Sequence, residues 1–133
     1  MNGLEQLRKT KELTKQKEKI LEVNLAGLYY RPKKAHEIAR YLNVGDRLEL
    51  KRNPSNQYDN FAVKVMAYGT HIGFIPKVYS EKVFNEISKK DGYRVFVLDT
   101  DKDDIPHINI ILFPFELKNG QYSFENTIVE SSE

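Results

Sequence analysis

Alternating hydrophobic and charged residues give the centre of the chain a β pattern. Positions 48–52 read Leu-Glu-Leu-Lys-Arg, a period of two that predicts a strand with one face more apolar than the other. The segment 53–56 predicts a turn, because its proline cannot donate to a ladder and its Asn and Ser residues close turns locally. Two further β-rich runs, at 62–68 and 71–76, predict the second and third strands of a small sheet.

The same patterns predict the remaining elements. Strands are expected at 20–30, 93–98, 105–115 and 122–124, and helices at 4–18, 34–42 and 78–90. Gly27, inside the first of these strands, predicts a bulge or a close backbone approach. About six short strands, with two short helices and an N-terminal helix, indicate a mainly β (α+β) fold that curls into a small closed or partly open barrel.

The N-terminal helix carries only a thin apolar stripe. Leu4 and Leu7 are three positions apart, but Lys11 and Lys15 interrupt the stripe. The helix therefore needs docking or self-association for its stability. Three roles stay open: a basic arm for nucleic acid, half of a weak dimer seam, or a frayed leader.

Composition narrows the class of protein. With 133 residues the chain is long enough for one domain with its own core. It has no cysteine, which excludes disulfides, thiolate metal sites and a cysteine nucleophile. No apolar run reaches the roughly 18 to 20 residues of a membrane span, and the N-terminus lacks the apolar segment of a secretory signal. We expect a cytoplasmic protein with no membrane partner.

The charge is unevenly distributed. Residues 31–52 carry seven Lys and Arg residues against three acidic ones, whereas the chain is acidic beyond Lys118. A locally basic half suits a partner that carries phosphates, since Lys and Arg release counterions from a nucleic-acid backbone. A solvated, lysine-rich surface explains the same charges without any partner. Both interpretations stay open.

The sequence offers no recognisable catalytic or metal-binding motif. The three histidines, His36, His71 and His107, fall at no ligand spacing, and no glycine-rich phosphate loop or nucleophile elbow follows a predicted strand. The acidic cluster at 99–104 alternates like a calcium loop but lacks the glycine and the closing glutamate, so a solvated loop is favoured. We expect a protein that is not an enzyme and that needs no cofactor or metal.

Aromatic and charged side chains gather near the ends of the predicted strands, namely Tyr29, Tyr30, Arg31, Tyr58, Asp59, Phe74 and Lys77. Exposed aromatic rings stack on unpaired bases, at about 1–3 kcal/mol per base. A carboxylate accepts a hydrogen bond from a hydroxyl but repels a phosphate, so Asp59 favours a free sugar hydroxyl over a continuing strand. In the alternative interpretation, the tyrosines pack the barrel and Asp59 caps its own turn.

Four segments resemble the HIRAN domain family, in the family's motif order: 25–30 (LAGLYY), 43–50 (NVGDRLEL), 52–65 (RNPSNQYDNFAVKV) and 72–77 (IGFIPK). The chain is most similar to the stand-alone bacterial and phage type of member. The resemblance implies an OB-like barrel that, in the helicase-linked members, captures the 3′-hydroxyl end of single-stranded DNA. The corresponding division of the chain is a basic helical arm at 1–20, a HIRAN-like OB-type domain at 21–117 and a short, partly disordered tail at 118–133.

The resemblance also implies roles for individual residues. Carried over by position, Tyr29 and Tyr58 sandwich the terminal base. Asp59 binds the terminal 3′ hydroxyl, helped by backbone groups near Tyr58, and Lys77 contacts a phosphate.

Several positions depart from the helicase-linked members. Phe74 stands in place of a phosphate-binding histidine, and Leu28 in place of an arginine. Gln57 and Phe61 replace a common proline and asparagine, and the segment 32–42 resembles an inserted helix that lines or obstructs the site. The lost phosphate contacts leave two outcomes open: a weaker affinity, or contacts supplied from elsewhere, such as by Arg31, Lys33 and Lys34.

These observations predict a non-enzymatic module that binds single-stranded DNA at free 3′-hydroxyl ends. The predicted context is replication, repair or mobile-element biology, with other replication or repair proteins as further partners. The alternative is a protein-interaction adaptor that uses the barrel edge or the N-terminal helix and has no functional nucleic-acid site. Salt dependence distinguishes the two, because nucleic-acid binding weakens steeply as the salt concentration rises.

Overall fold

Antiparallel strands and three helices make up the part of the chain that the computed structural model describes, residues 2–14, 20–87, 91–118, 121–124 and 127–129. The helices are α1 (Gly3–Thr14), α2 (Lys33–Tyr41) and α3 (Lys77–Ile87), and a 3₁₀ turn covers Leu28–Tyr30. The strands are β1 (Leu21–Asn24), β2 (Arg47–Arg52), β3 (Val63–Ala67), β4 (Thr70–Phe74), β5 (Asp91–Thr100), β6 (Ile108–Lys118), β7 (Gln121–Phe124) and β8 (Thr127–Val129).

Six of these strands curl into a barrel. The order of neighbours is β4-β3-β2-β5-β6, and β1 pairs with the other edge of β6. Just after β1, the backbone of Ala26 exchanges two hydrogen bonds with Phe74 of β4, at 2.9 and 2.8 Å, so the two ends of the curled sheet meet. The predicted fold class, a small OB-like barrel with helices, is confirmed.

Side chains at alternate positions of the strands fill the barrel. In β3, Val63, Val65 and Ala67 are buried, while Lys64 and Met66 between them are only half-buried. The helices α2 and α3 add buried residues to the same core, namely Ala35, Ala39, Val83 and Phe84. Each fully buried aliphatic side chain contributes about 1.5–3 kcal/mol, so this core is a large source of stability.

β5 and β6 are apolar on both faces. Val95 belongs to the barrel core, whereas its neighbour Phe96 joins Ile111 and Phe113 of β6 in a second buried cluster. Successive residues of a strand point to opposite faces, so this second cluster lies on the outside of the barrel. α1 covers it with Leu7, which is 5% exposed.

Docking on the sheet stabilises the N-terminal helix. Asn2 caps it, because its side-chain Oδ1 accepts the backbone N–H of Glu5 at 2.8 Å. The helix start lies directly against the turn before β2: a Cβ added to Gly3 would lie 2.4 Å from the carbonyl oxygen of Gly45. Thr10 is also buried. The thin apolar stripe thus docks on the barrel, in place of a frayed leader.

The first strand is shorter than predicted. β1 ends at Asn24, so the prediction of a strand over 20–30 is wrong beyond that residue. Gly27 has φ +77°, a left-handed conformation that ends the strand and leads into the 3₁₀ turn. The bulge or close backbone approach predicted at Gly27 is not what the structure shows, since Gly27 lies outside the strand and a Cβ there would make only an ordinary contact, 3.4 Å from the ring of Phe74.

Other boundaries differ by a few residues. α3 begins at Lys77, and β6 begins at Ile108, after Pro106, instead of at 105. In the tail, β7 and β8 extend the sheet from β6. The last residues of the tail predicted to be partly disordered, 130–133, lie outside the described residues. No helix in the described ranges has the length and apolar character that crossing a membrane requires.

Candidate nucleic-acid interface

The loop between β2 and β3 is shaped by its own side chains. Its ends are joined by a hydrogen bond from the N–H of Asn53 to the carbonyl of Ala62 at 2.8 Å. Inside it, the side-chain Oδ1 of Asn56 accepts the backbone N–H groups of Tyr58 and Asp59, at 2.8 and 3.1 Å. An Asn side chain that holds the backbone two residues on is typical of a tight turn. The loop therefore presents Tyr58 outward.

Asp59 connects this loop to α3. Its Oδ1 accepts the N–H of Phe61 at 2.8 Å, and its Oδ2 accepts the hydroxyl of Ser80 at 2.8 Å. Ser80 is 2% exposed, whereas the carboxylate is only half-buried. Asp59 thus caps its own turn, as one of the two interpretations predicted. Each carboxylate oxygen has about two acceptor sites and accepts one hydrogen bond here, so the group retains capacity for further donors.

The tyrosines do not pack the barrel. The exposed fractions of Tyr29, Tyr30 and Tyr58 are 69%, 85% and 80%. Tyr29 and Tyr30 contact each other edge to face, with ring centroids 5.2 Å apart. The interpretation in which these rings belong to the core is wrong, and their faces are open to a partner.

The end of β4 holds the two tyrosine-bearing segments together. Phe74 pairs with Ala26, directly before the 3₁₀ turn of Tyr29, and the N–H of Ile75 donates to the carbonyl of Val63, directly after the Tyr58 loop, at 3.0 Å. Both segments therefore flank one strand end. Lys77, the first residue of α3, is exposed at the same place in the chain.

The nearby basic residues divide into one anchored side chain and two exposed ones. Arg31 is half-buried, and its Nε donates to the carbonyl of His71 in β4 at 3.2 Å. Lys33 and Lys34 are exposed in the first turn of α2. Cations at a helix N-terminus oppose the helix dipole, so these two lysines do not stabilise α2.

His71 lies beside Phe74, the residue that stands in place of the family's histidine. The two rings meet edge to face with centroids 4.6 Å apart. Burial, then Arg31 and to a smaller extent Lys64, lower the pKa of His71 to about 4, although its hydrogen bond to the Gly73 carbonyl opposes the shift. At neutral pH the ring is therefore uncharged, and its Nε2–H donates to Gly73 at 2.9 Å.

Two other departures from the family pattern are structural. Leu28 is 5% exposed in the barrel core, so its position does not face a ligand. Phe61 contacts Phe84 of α3 edge to face, with ring centroids 5.5 Å apart, and this contact packs the Tyr58 loop against the helix. No sequence pattern indicated Ser80 as a partner of Asp59, whereas Asn56 lies at the spacing of an Asx turn.

An open cleft of about 630 Å³ separates the 3₁₀ turn from the loop at 103–108. Its lining residues are Asn24, Leu25, Gly27, Leu28, Tyr29, Asp103, Asp104, Ile105, Pro106, His107 and Ile108. Arg40 of α2 donates to the carbonyl of Asp104 at 2.7 Å, and Lys102 donates to the carbonyl of Leu42. α2, the helix predicted as an insertion, thus holds the loop that forms one wall of the cleft.

The acidic loop is organised by one carboxylate. Asp101 accepts the backbone N–H groups of Asp103 and His107, at 3.1 and 3.0 Å, and contacts the His107 ring at 2.7 Å. These hydrogen bonds, with that from Asp103 the largest, lower the pKa of Asp101 to about 2. Possible ligand atoms of the three side chains lie within 4.8 Å of one another, all exposed. The hydrogen bonds of Asp101 show that this cluster stabilises the conformation of the loop.

Comparisons with known proteins agree with this geometry. A family model described as HIRAN domain matches residues 19–112. A solved structure of a Lactobacillus plantarum protein has a TM-score of 0.59 and 20% identity, and the match covers 70% of this chain and 92% of that one. The HIRAN domain of human HLTF has a TM-score of 0.57 and 21% identity, over 71% of this chain and 74% of that one. These structural similarities show a shared fold. No curated protein sequence matches.

Proposed function

Since its family match spans more than half of its length, the chain belongs to the HIRAN domain family, and we propose that it binds single-stranded DNA at free 3′-hydroxyl ends. Membership of this family supports nucleic-acid binding in general. The finer proposal, an unpaired strand and its 3′ end, rests on the side chains around the end of β4.

The observation that carries the proposal is the pairing of Tyr58, 80% exposed, with a carboxylate fixed by two hydrogen bonds. A flat ring held in water by a braced loop offers its face to a base at little further entropic cost. Tyr29 supplies a second exposed face on the other side of the strand end. Stacking on each ring contributes about 1–3 kcal/mol.

Asp59 provides the preference for an end. A terminal 3′ hydroxyl donates a hydrogen bond to a carboxylate oxygen, and bonds to a charged acceptor are the stronger kind. A 3′ phosphate, or the phosphodiester of a continuing strand, brings negative charge against the carboxylate and is repelled. Phe61 and Ser80 hold the carboxylate in place before the DNA arrives.

The Asp59 carboxylate is the main group that contacts the terminal 3′ hydroxyl. The resemblance implied help from backbone groups near Tyr58, but the N–H groups of Tyr58 and Asp59 already donate to Asn56. Phosphates of the last nucleotides are then neutralised by exposed cations beside the loops, Lys77, Lys33 and Lys34. The module acts by binding and performs no chemistry on the strand. It works in the cytoplasm in DNA replication, repair or mobile-element biology.

Fluorescence anisotropy with single-stranded DNA of about 12 nucleotides, a length within the range of one OB-type site, tests this function. The wild-type protein is expected to prefer a 3′ hydroxyl to a 3′ phosphate. Asp59→Asn keeps the size of the side chain but removes its charge, so the preference disappears. Tyr58→Ala lowers the affinity by about 5- to 150-fold through lost stacking, and Tyr41→Ala, which removes a similarly exposed ring on α2, is the matched control.

Equal affinity of the wild-type protein for both ends contradicts end recognition. Binding to DNA that is insensitive to salt, or absent, contradicts nucleic-acid binding and favours an adaptor role.

A further inference from the structure

Two lysines lie directly opposite each other in the barrel wall. Lys51 of β2 is in register with Lys64 of β3, and Lys64 is in register with Phe74 of β4. Directly opposite residues of an antiparallel pair share a face, with Cβ atoms about 4.5–5.5 Å apart, and like charges there are destabilising. The face is the outer one, because the neighbouring Val63 and Val65 fill the core. The stability of the fold does not explain this pair.

Neither ammonium group is neutralised by an ion pair. Across the residues that the structure describes, the side chains of Lys51 and Lys64 make no hydrogen bond and no salt bridge. The next cross-strand pair on the same face, Glu49 with Met66, contributes one acidic residue. A third cation reaches the same wall, since Arg31 is hydrogen-bonded to the carbonyl of His71 in β4.

Two of the three cations lie next to β4. Lys64 is on β3, in register with Phe74 of β4, and Arg31 is hydrogen-bonded to the backbone of His71 in the same strand. The charges of Arg31 and, to a smaller extent, Lys64 also lower the pKa of His71. An anion placed there interacts favourably with several cations at once.

The lysine row leads to the tyrosine segments. It ends at Phe74, whose backbone pairs with Ala26 and whose ring approaches Gly27, immediately before the turn of Tyr29. A strand whose terminal base is stacked at the tyrosines can therefore continue onto the lysines without leaving the protein surface.

We propose that Lys51, Lys64 and Arg31, the cationic face, bind the phosphodiester backbone of the DNA strand behind its 3′ terminal nucleotide. The inference rests on the proposed function and extends it from the last nucleotide to those that precede it. A phosphate between the two lysines replaces their mutual repulsion with two charge-assisted contacts. Lys51 of β2 and Lys64 of β3 thus supply phosphate contacts in place of the family's histidine, whose position Phe74 occupies.

The test is the salt dependence of binding to single-stranded DNA with a free 3′ hydroxyl. Each neutralised phosphate contributes about −0.7 to the slope of log affinity against log salt, so Lys51→Gln with Lys64→Gln, which removes the one phosphate site between them, makes the slope shallower by about 0.7 between roughly 50 and 200 mM salt. The affinity falls roughly 10-fold at the low-salt end. The preference for a 3′ hydroxyl over a 3′ phosphate is unchanged, because it depends on Asp59.

A matched control is Lys9→Gln, an exposed lysine on α1, which leaves the slope unchanged. The double variant keeps or raises the Tm, since the lysine repulsion is relieved. An unchanged slope in the double variant, an equal loss in Lys9→Gln, or equally tight binding of polyglutamate overturns the cationic face. If the wild-type protein prefers the 3′ hydroxyl and only the slope test fails, the proposed function survives. If it binds no DNA, both proposals fall.

Discussion

The outer surface of the barrel has two unlike halves. Over β5 and β6 it is apolar, with Phe96, Ile111 and Phe113 buried beneath α1. Over β2 and β3 it carries Lys51 and Lys64. In the described part of the chain, the helices that contact β3 and β4, α3 and α2, place their buried residues in the barrel core instead of on this outer face. The inner faces of both halves join the same core. Apolar burial under α1 therefore explains the residues on one half of the exterior, whereas the other half keeps two opposed lysines that repel each other and do not stabilise the fold.

The largest expected loss of stability comes from removing a buried side chain from the half that α1 covers. Phe113→Ala deletes a fully buried ring from the interface with α1 and lowers the free energy of unfolding by about 3–5 kcal/mol. On the uncovered half, Lys51→Ala changes it by no more than about 0.5 kcal/mol. Urea denaturation of both variants measures the contrast. Similar losses in the two variants would show that the halves do not differ as described.

A second prediction isolates the docking of α1. Gly45→Ala combines a positive φ of 92° with a Cβ that would lie 2.4 Å from the backbone N of Leu4. Gly69→Ala, in the turn between β3 and β4, has a positive φ of 77° but no atom within 4 Å of the added Cβ. Both variants lose about 1–3 kcal/mol from backbone strain, and Gly45→Ala loses more because α1 must move. Equal Tm values would argue that α1 does not press on this turn.

A third, smaller effect concerns the link between the uncovered side and α3. Ser80→Ala removes the hydroxyl that donates to Asp59 and lowers the free energy of unfolding by about 1–2 kcal/mol. The loosened carboxylate also reduces the preference for a 3′ hydroxyl, measured by anisotropy. Ser55→Ala, at an exposed position of the same loop, is the control. An intact end preference in Ser80→Ala would mean that Phe61 alone positions Asp59.

A further prediction concerns the pH dependence of stability at the edge of the cationic face. An unfolded histidine binds a proton below about its ordinary pKa of 6.5, but folded His71 does so only near 4. Between these values the unfolded state binds more protons, so stability falls as the pH is lowered from 6.5 towards 4. In His71→Gln, this part of the decline in Tm is absent. Bound phosphates raise the pKa of His71, which NMR titration with and without DNA detects.

The local patterns of the sequence were sufficient for the elements of the barrel. Alternation in β2 and β3 fixes which residues point inward, because a strand repeats every two residues. The uninterrupted apolar runs of β5 and β6, around Phe96 and Ile111, also indicate burial on both faces. They do not reveal that α1, more than eighty residues earlier than Phe96, supplies the cover.

The candidate site was predictable only where its parts are close in sequence. Tyr58 and Asp59 are adjacent, so their shared loop could be identified directly. The contact between Asp59 and Ser80 spans 21 residues and depends on how α3 packs after β4. The opposition of Lys51 and Lys64 depends on strand register, which the loop between them sets and which composition does not determine.

The most direct test of the two-sided surface is NMR mapping of the wild-type protein during titration with single-stranded DNA that has a free 3′ hydroxyl. We expect the backbone amide signals of the tyrosine segments, at 27–31 and 56–60, and those of Lys51 and Lys64 to shift together, while those of Leu7 and Phe113 under α1 stay unchanged. Shifts confined to α1 and the covered half, with none at Tyr58, Asp59 or the cationic face, would contradict it.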